Sequence, residues 1–253
     1  MRAGAGASKM PAMRLPLPFA LFVAALAGAG VAVPAMAAER RYSVASFERL
    51  RVEGPFEVRV TTGGPATGTA ITDERTLDLL TLTVEGTTLI VRLSNVKGWG
   101  ERGSTAVRTA PVVTLTTPLL RSALAVAGAR VTIGAGKTDR FDVAVNGAGR
   151  IAVTGLDADQ VIATVIGTGA VSLSGAARET RLLLNGAGQI DSAALQTGDL
   201  TVRLEGTGDI RTAARYTATV TTSGLGRVTV AGKPRCRVRA ISGGPVICEG
   251  VRE

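Results

Sequence analysis

Paired carboxylates, thiols and rows of guanidinium groups are the chemistry-bearing side chains here, because histidine is absent from all 253 residues. Without imidazole there is no Ser–His or Cys–His nucleophile pair and no His-ligated metal. Two cysteines cannot build a four-thiolate zinc site either. Glycosidase chemistry would need two carboxylates roughly 5 to 9.5 Å apart across the scissile bond. Outward strand positions offer Asp191, Glu205 and Asp209, with Asp139 and Asp142 near an earlier turn. Asp191 and Asp209 fall on adjacent repeats, one strand position apart, but no aromatic residue or tight acidic cluster joins them. Arg203 and Arg211 stand close by, and the five carboxylates read as solvated surface charge. We expect no enzyme: no catalytic residue, no cofactor and no metal ligand.

Cys236 and Cys248 occupy inward positions of their strands, twelve residues apart on facing strands of the last repeat. In an oxidising compartment this favours a disulfide, worth nearly 3 kcal/mol in the chain-entropy account of about a 12-residue loop. Two buried free thiols are the alternative, and a redox pair lacks the C-x-x-C spacing that lowers a thiol pKa. Around Cys236, the arginines Arg235, Arg237 and Arg239 alternate with inward Cys236 and Val238, so three cations share one outer face. They form a candidate anion site for lipid phosphate or acidic glycan. The alternative is protection of the terminal strand edge, where charge discourages another chain from pairing.

The elements that carry these residues follow from a repeat. Six turns read VNGAGRIAV, VIGTGAVSL, LNGAGQIDS, LEGTGDIRT, TSGLGRVTV and SGGPVIC, with an earlier copy, VAGARVTI, at 126–133. Their second glycines, Gly149, Gly169, Gly188, Gly208, Gly226 and Gly244, are spaced by 20, 19, 20, 18 and 18 residues, a solenoid period. Apolar residues flank each glycine pair at period two, as in Ile151, Val171, Ile190, Ile210, Val228 and Val246. One such unit cannot bury a face alone, so stacking at about 4.8 Å must make the core. We predict a single-stranded parallel β-helix of six to seven turns, all-β, with glycine corners that need positive φ. A dinucleotide reading of G-x-G fails because a strand, not a helix, follows. Gly134–Thr138 resembles a P-loop end only superficially, and the corners lack the regular aspartate of calcium-binding repeats.

The remainder divides into a leader and a less regular strand-rich part. Arg2, Lys9 and Arg14 precede an apolar run from Leu15 to Val33, and Ala35-Met36-Ala37 carries small residues at both positions read by signal peptidase. We expect residues 1–37 to be a signal peptide cut between Ala37 and Ala38, leaving no membrane-spanning segment. Removing its three cations from the 29 basic residues leaves a moderately basic chain against 20 acidic ones. Export and the 3% aromatic content argue against nucleic acid. Residues 42–120 hold an alternating stretch at 47–60, a short helix at 73–80 and a strand pair at 82–93. A loop at 94–105 carries Trp99. The repeats occupy 121–253, within one domain spanning 38–253.

FERLRVEGPFEVRVTTG, DERTLDLLTLTVEGTTLIVRL, the Gly-Trp-Gly loop and the strand–GxG–strand units together resemble the GIN domain, described as the head of autotransporter adhesins. The likeness spans about residues 42–250. It implies an exported bacterial β-helical protein of a family with no established enzymatic activity, and it brings no catalytic residues. We therefore expect a periplasmic or cell-surface binding or adhesion module, with N-terminal strands packed against or capping the helix. Its partner would be an anionic glycan, a lipid head group or an envelope protein. The alternatives are a structural or regulatory envelope component acting through a protein partner, and a carbohydrate-active enzyme using Asp191, Glu205 or Asp209. Oligomeric state is not legible at this level.

Overall fold

A computed structural model of the chain describes residues 38–94, 110–241 and 243–252. The leader up to Ala37 and the Trp99 loop lie outside the described residues. The alternating stretch at 47–60 forms β2 (Arg49–Glu53) and β3 (Glu57–Thr62), preceded by β1 (Ala38–Tyr42) and followed by β4 (Thr67–Thr72). Helix α1 (Glu74–Leu79) starts at Asp73, whose carboxylate accepts from the Thr76 backbone N–H at 3.0 Å and the Thr76 hydroxyl at 2.7 Å. That satisfies a donor which the first helical turn leaves orphaned. β5 (Leu80–Glu85) and β6 (Thr88–Leu93) pair antiparallel around Gly86. β7 (Val112–Thr117), β8 (Ser122–Val126) and β9 (Arg130–Gly134) complete this part.

These N-terminal strands do more than cap. β2 lies between β6 and β8, and β3 between β7 and β9, all parallel. The chain therefore lays down the β2–β3 level first, runs outward to β6 and β7, and returns to β8 and β9 on the opposite side. Antiparallel β5 then covers β6, β4 covers β7, and β1 covers β4. Reversed strands close the stack at that end, where parallel growth would otherwise expose pairing edges.

Beyond β9 the repeats wind a parallel β-solenoid of about six turns. Its strands are β10 (Lys137–Gly147), β11 (Arg150–Gly167), β12 (Ala170–Gly186) and β13 (Gln189–Gly206). Next come β14 (Asp209–Ala214), β15 (Thr217–Thr222) and β16 (Val228–Gly232). The last are β17 (Arg235–Ala240), β18 (Val246–Cys248) and β19 (Val251–Arg252). Each full turn buries three short runs: in β11 these are Ile151 with Val153, Leu156 with Ala158, then Val161, Ala163 and Val165. Like positions are in register from turn to turn, as in Phe141, Val161, Thr180, Leu200, Ala218 and Cys236. Each fully buried Val, Leu or Ile contributes about 1.5–3 kcal/mol, which is how turns too thin to fold singly become stable together.

At four successive corners the first glycine (Gly147, Gly167, Gly186, Gly206) has the positive φ expected of a corner, whereas Gly224, Gly243 and the second glycines of the pairs do not. Gly167 and Gly186, the first of their pairs, have φ of 112° and 123°. Gly169 and Gly188, the second, lie outside that region. A Cβ on them would stand 2.7 Å and 2.5 Å from the backbone oxygen of the second glycine one turn earlier. The close approach lets Ala170 N–H donate to Gly149 O at 3.0 Å and Gln189 N–H to Gly169 O at 2.9 Å, so the ladder continues around the bend. Polar side chains interrupt the interior at a few places. The Thr180 and Thr197 hydroxyls bond each other at 2.9 Å, whereas the buried Thr212 hydroxyl has no hydrogen-bond partner.

Candidate functional site

The carboxylates singled out in the sequence are not brought together. Asp191 lies on β13 in register with Arg211 of β14, and its Oδ1 accepts from Ala193 N–H at 3.2 Å. Glu205 ends the same long strand on a different face, held by Arg203 at 2.6 Å and by Asn185 Nδ2 at 3.2 Å. Asp209 begins β14 beside Gln189, and Asp142 is paired with Arg140 at 3.0 Å. Asp191 and Asp209 sit on neighbouring strands two register positions apart, and none of these four lines either of the two clefts described below. Among the described residues there is no group of three or more His, Cys, Asp or Glu side chains able to hold a metal ion, and no helix long and apolar enough to cross a membrane.

Cys236 and Cys248 are joined, with their Cα atoms 6.7 Å apart, and the link ties β17 to β18. Cys236 is buried under Ala218, with Arg252 of β19 its register neighbour on the other side. On the outward side of β17, Arg235, Arg237 and Arg239 are all exposed, and their register neighbours on β15 are Thr217, Thr219 and Thr221. β19 pairs with β17 only at Arg235 and Cys236.

A cleft of about 490 Å³ lies where the second and third runs of successive turns meet. Its floor is made of small residues, including Ala158, Ala177 and Gly198. A Cβ at Gly198 would stand 2.7 Å from Arg178 O and 3.5 Å from Tyr216 Cδ2, so a side chain there would crowd both neighbours. Asp139, Asp157, Asp159 and Asp199 rim it with Lys137, Arg178 and Gln196. Asp159 meets Arg178 of the next turn at 3.5 Å, and Asp199 accepts from the Thr217 hydroxyl at 2.5 Å. Tyr216 closes one end at 63% exposure, with the Arg215 guanidinium 5.9 Å over its ring. A smaller depression continues from Asp159 and Asp199 to Thr217 and Thr219, whose neighbours on β17 are Arg235 and Arg237. Of this constellation the sequence pointed to Asp139 as a carboxylate and to Lys137 and Thr138 only as the end of a P-loop look-alike. The signal was available in LDADQ, AARET, QTGDL and ARYT, which follow successive glycine corners, but their residues form columns of mixed chemistry rather than a motif.

A family model described as "Putative auto-transporter adhesin, head GIN domain" matches residues 46–234. Three solved structures share the fold. A protein from Bacteroides fragilis described as a putative adhesin is 21% identical, with TM-score 0.73 over 86% of this chain and 96% of its own. A second described as a putative adhesin, from Parabacteroides distasonis, is 19% identical with TM-score 0.67, covering 85% and 98%. Another from Parabacteroides distasonis, described as a putative lipid binding protein, is 16% identical with TM-score 0.68, covering 84% and 96%. No curated protein matches the chain.

Proposed function

The chain belongs to the auto-transporter adhesin head GIN domain family, and from that premise we propose that it is an exported, non-enzymatic adhesion module of the bacterial envelope that holds an anionic surface polymer through β17. One observation carries this reading. Five outward arginines of the solenoid wall are paired with a carboxylate two residues away: Arg51 with Glu53, Arg59 with Glu57, Arg140 with Asp142, Arg181 with Glu179 and Arg203 with Glu205. Arg235, Arg237 and Arg239 instead occupy three alternate positions of a single strand, all exposed on its outward side. A row of cations so arranged concentrates positive potential, and guanidinium groups bind carboxylate, sulfate and phosphate through paired hydrogen bonds. The lipid-binding description of one fold relative makes a phosphate head group the second probe to try.

The test is binding of the protein to acidic glycans and to vesicles with anionic or zwitterionic head groups, at low and physiological salt. Arg235→Glu/Arg237→Glu/Arg239→Glu runs alongside. The expected result is binding to an anionic probe that weakens with salt and drops at least tenfold in the variant. Binding that survives the triple charge reversal, or none to any anionic probe, removes β17 as the contact and leaves its arginines as protection of the terminal strand.

A further inference from the structure

We infer that the cleft ending at Tyr216 is a second, independent binding site, for an uncharged pyranose segment of a glycan. Five surface carboxylates of the solenoid are paired with an arginine two residues away, as given above. Inside the cleft, among the described residues, no carboxylate is paired at that spacing. Among the described residues, no hydrogen bond or ion pair engages the side chains of Lys137, Asp139, Asp157 or Gln196, although all four line one cavity. Polar groups held near one another and left unsatisfied by the protein are available to a ligand.

Their chemistry selects the ligand. A pyranose presents equatorial hydroxyls that both donate and accept, and carboxylates, amides and ammonium groups answer them with acceptors and donors. It also presents a face of C–H bonds that packs against an aromatic ring. Tyr216 supplies that ring: Phe47, Phe56 and Phe141 are buried, Tyr42 is half-buried, and Tyr216 is the one exposed aromatic among the described residues. Arg215 lies over one face of the ring, which leaves the other for a sugar. Asp139, Asp157, Asp159 and Asp199 slightly outnumber Lys137, Arg178 and Arg215 along this cleft, so it lacks the net positive charge that β17 carries. The floor of alanine and glycine makes room. The cleft crosses five successive turns, from Lys137 through Asp157, Ala176 and Gln196 to Arg215. At about 4.8 Å per turn this is roughly 19 Å, the reach of a short oligosaccharide.

Titration with chito-oligosaccharides and β-glucan oligomers as neutral probes, beside a sulfated glycan, tests this on the wild type, Tyr216→Ala, Gln196→Trp and the triple arginine variant. The expected result is binding of a neutral probe that is insensitive to salt and unchanged by the triple variant. Tyr216→Ala should weaken it about tenfold, and Gln196→Trp, which fills the cleft, should abolish it. Both positions are exposed, so unchanged thermal unfolding shows that each variant still folds. Failure of every neutral probe to bind, or equal affinity in Tyr216→Ala, overturns the site. The two readings separate cleanly, since loss of the sulfated probe in the triple variant upholds β17 whatever the neutral probes do.

Discussion

At the scale of single residues, a buried hydroxyl without a partner and a bonded pair of hydroxyls in the interior of the stack predict opposite mutational signs. Thr212 sits in the column of Val153, Leu173, Ser192 and Val230, and its buried hydroxyl has no partner. Thr212→Val removes the stranded donor at nearly constant shape, so urea unfolding should show a gain of about 1 kcal/mol. Thr180→Val instead strands the Thr197 hydroxyl, and should cost about 1 kcal/mol, much of it recovered in Thr180→Val/Thr197→Val. Asp73 gives the pH counterpart. Hydrogen bonds from the Thr76 hydroxyl and backbone hold its carboxyl below the ordinary carboxylate value. A folded pKa below the unfolded one contributes stability that is present above about pH 4 and is lost as the pH falls through the lowered value. Asp73→Asn keeps the helix cap but cannot titrate. The stability gap between wild type and this variant should therefore narrow on acidification, and a gap constant down to pH 2 would count against the assignment.

At the scale of elements the corners decide whether turns can stack. Gly188→Ala would place a methyl 2.5 Å from the Gly169 backbone oxygen and 2.8 Å from Val165 Cγ1, with no flexible side-chain end to yield on the backbone side. We expect a loss of about 3 kcal/mol or more, or failure to fold. Gly86→Ala is the contrast: φ is 60° and nothing lies within 4 Å, so only left-handed strain remains, about 1 kcal/mol. A thermal melt of each variant distinguishes crowding from strain. These corners also show what could be read in advance. The period and the inward columns were legible because burial repeats mostly apolar residues at the same place in successive turns, and α1 and β5–β6 were legible from their own local pattern and the Glu85-Gly86-Thr87 turn. The order of the N-terminal levels was not, since β2 and β6 carry equivalent alternation and only three-dimensional pairing puts β2 between β6 and β8. Nor was the cleft, which takes two or three residues from each of five turns, so that Asp157, Gln196 and Tyr216 have no spacing within any single strand.

At the scale of the whole molecule the solenoid is closed differently at its two ends, and this predicts where it opens. Reversed strands β1, β4 and β5 cover the level of β6 and β7, while the far end finishes on the two-residue β19 and the three-residue β18. In a stack each level is stabilised by its neighbours, so a terminal level, with one neighbour, is the first to open. The link from Cys236 to Cys248 opposes that opening, because it closes a loop of twelve residues that joins β17 to β18. Such a loop contributes about 3 kcal/mol in the chain-entropy account. Reduction should then speed amide exchange in β17 and β18 by up to about a hundredfold, and leave β11 to β13 at their original rates. Because Arg235, Arg237 and Arg239 ride on β17, reduction should also weaken binding of the anionic probe while sparing neutral oligosaccharides at the cleft, whose walls are drawn largely from β11 to β13. Exchange that rises equally through β11 to β13 would mean that the stack opens as one cooperative unit. Unchanged exchange in β17 would mean that packing under Ala218, rather than the covalent link, holds the last level in place.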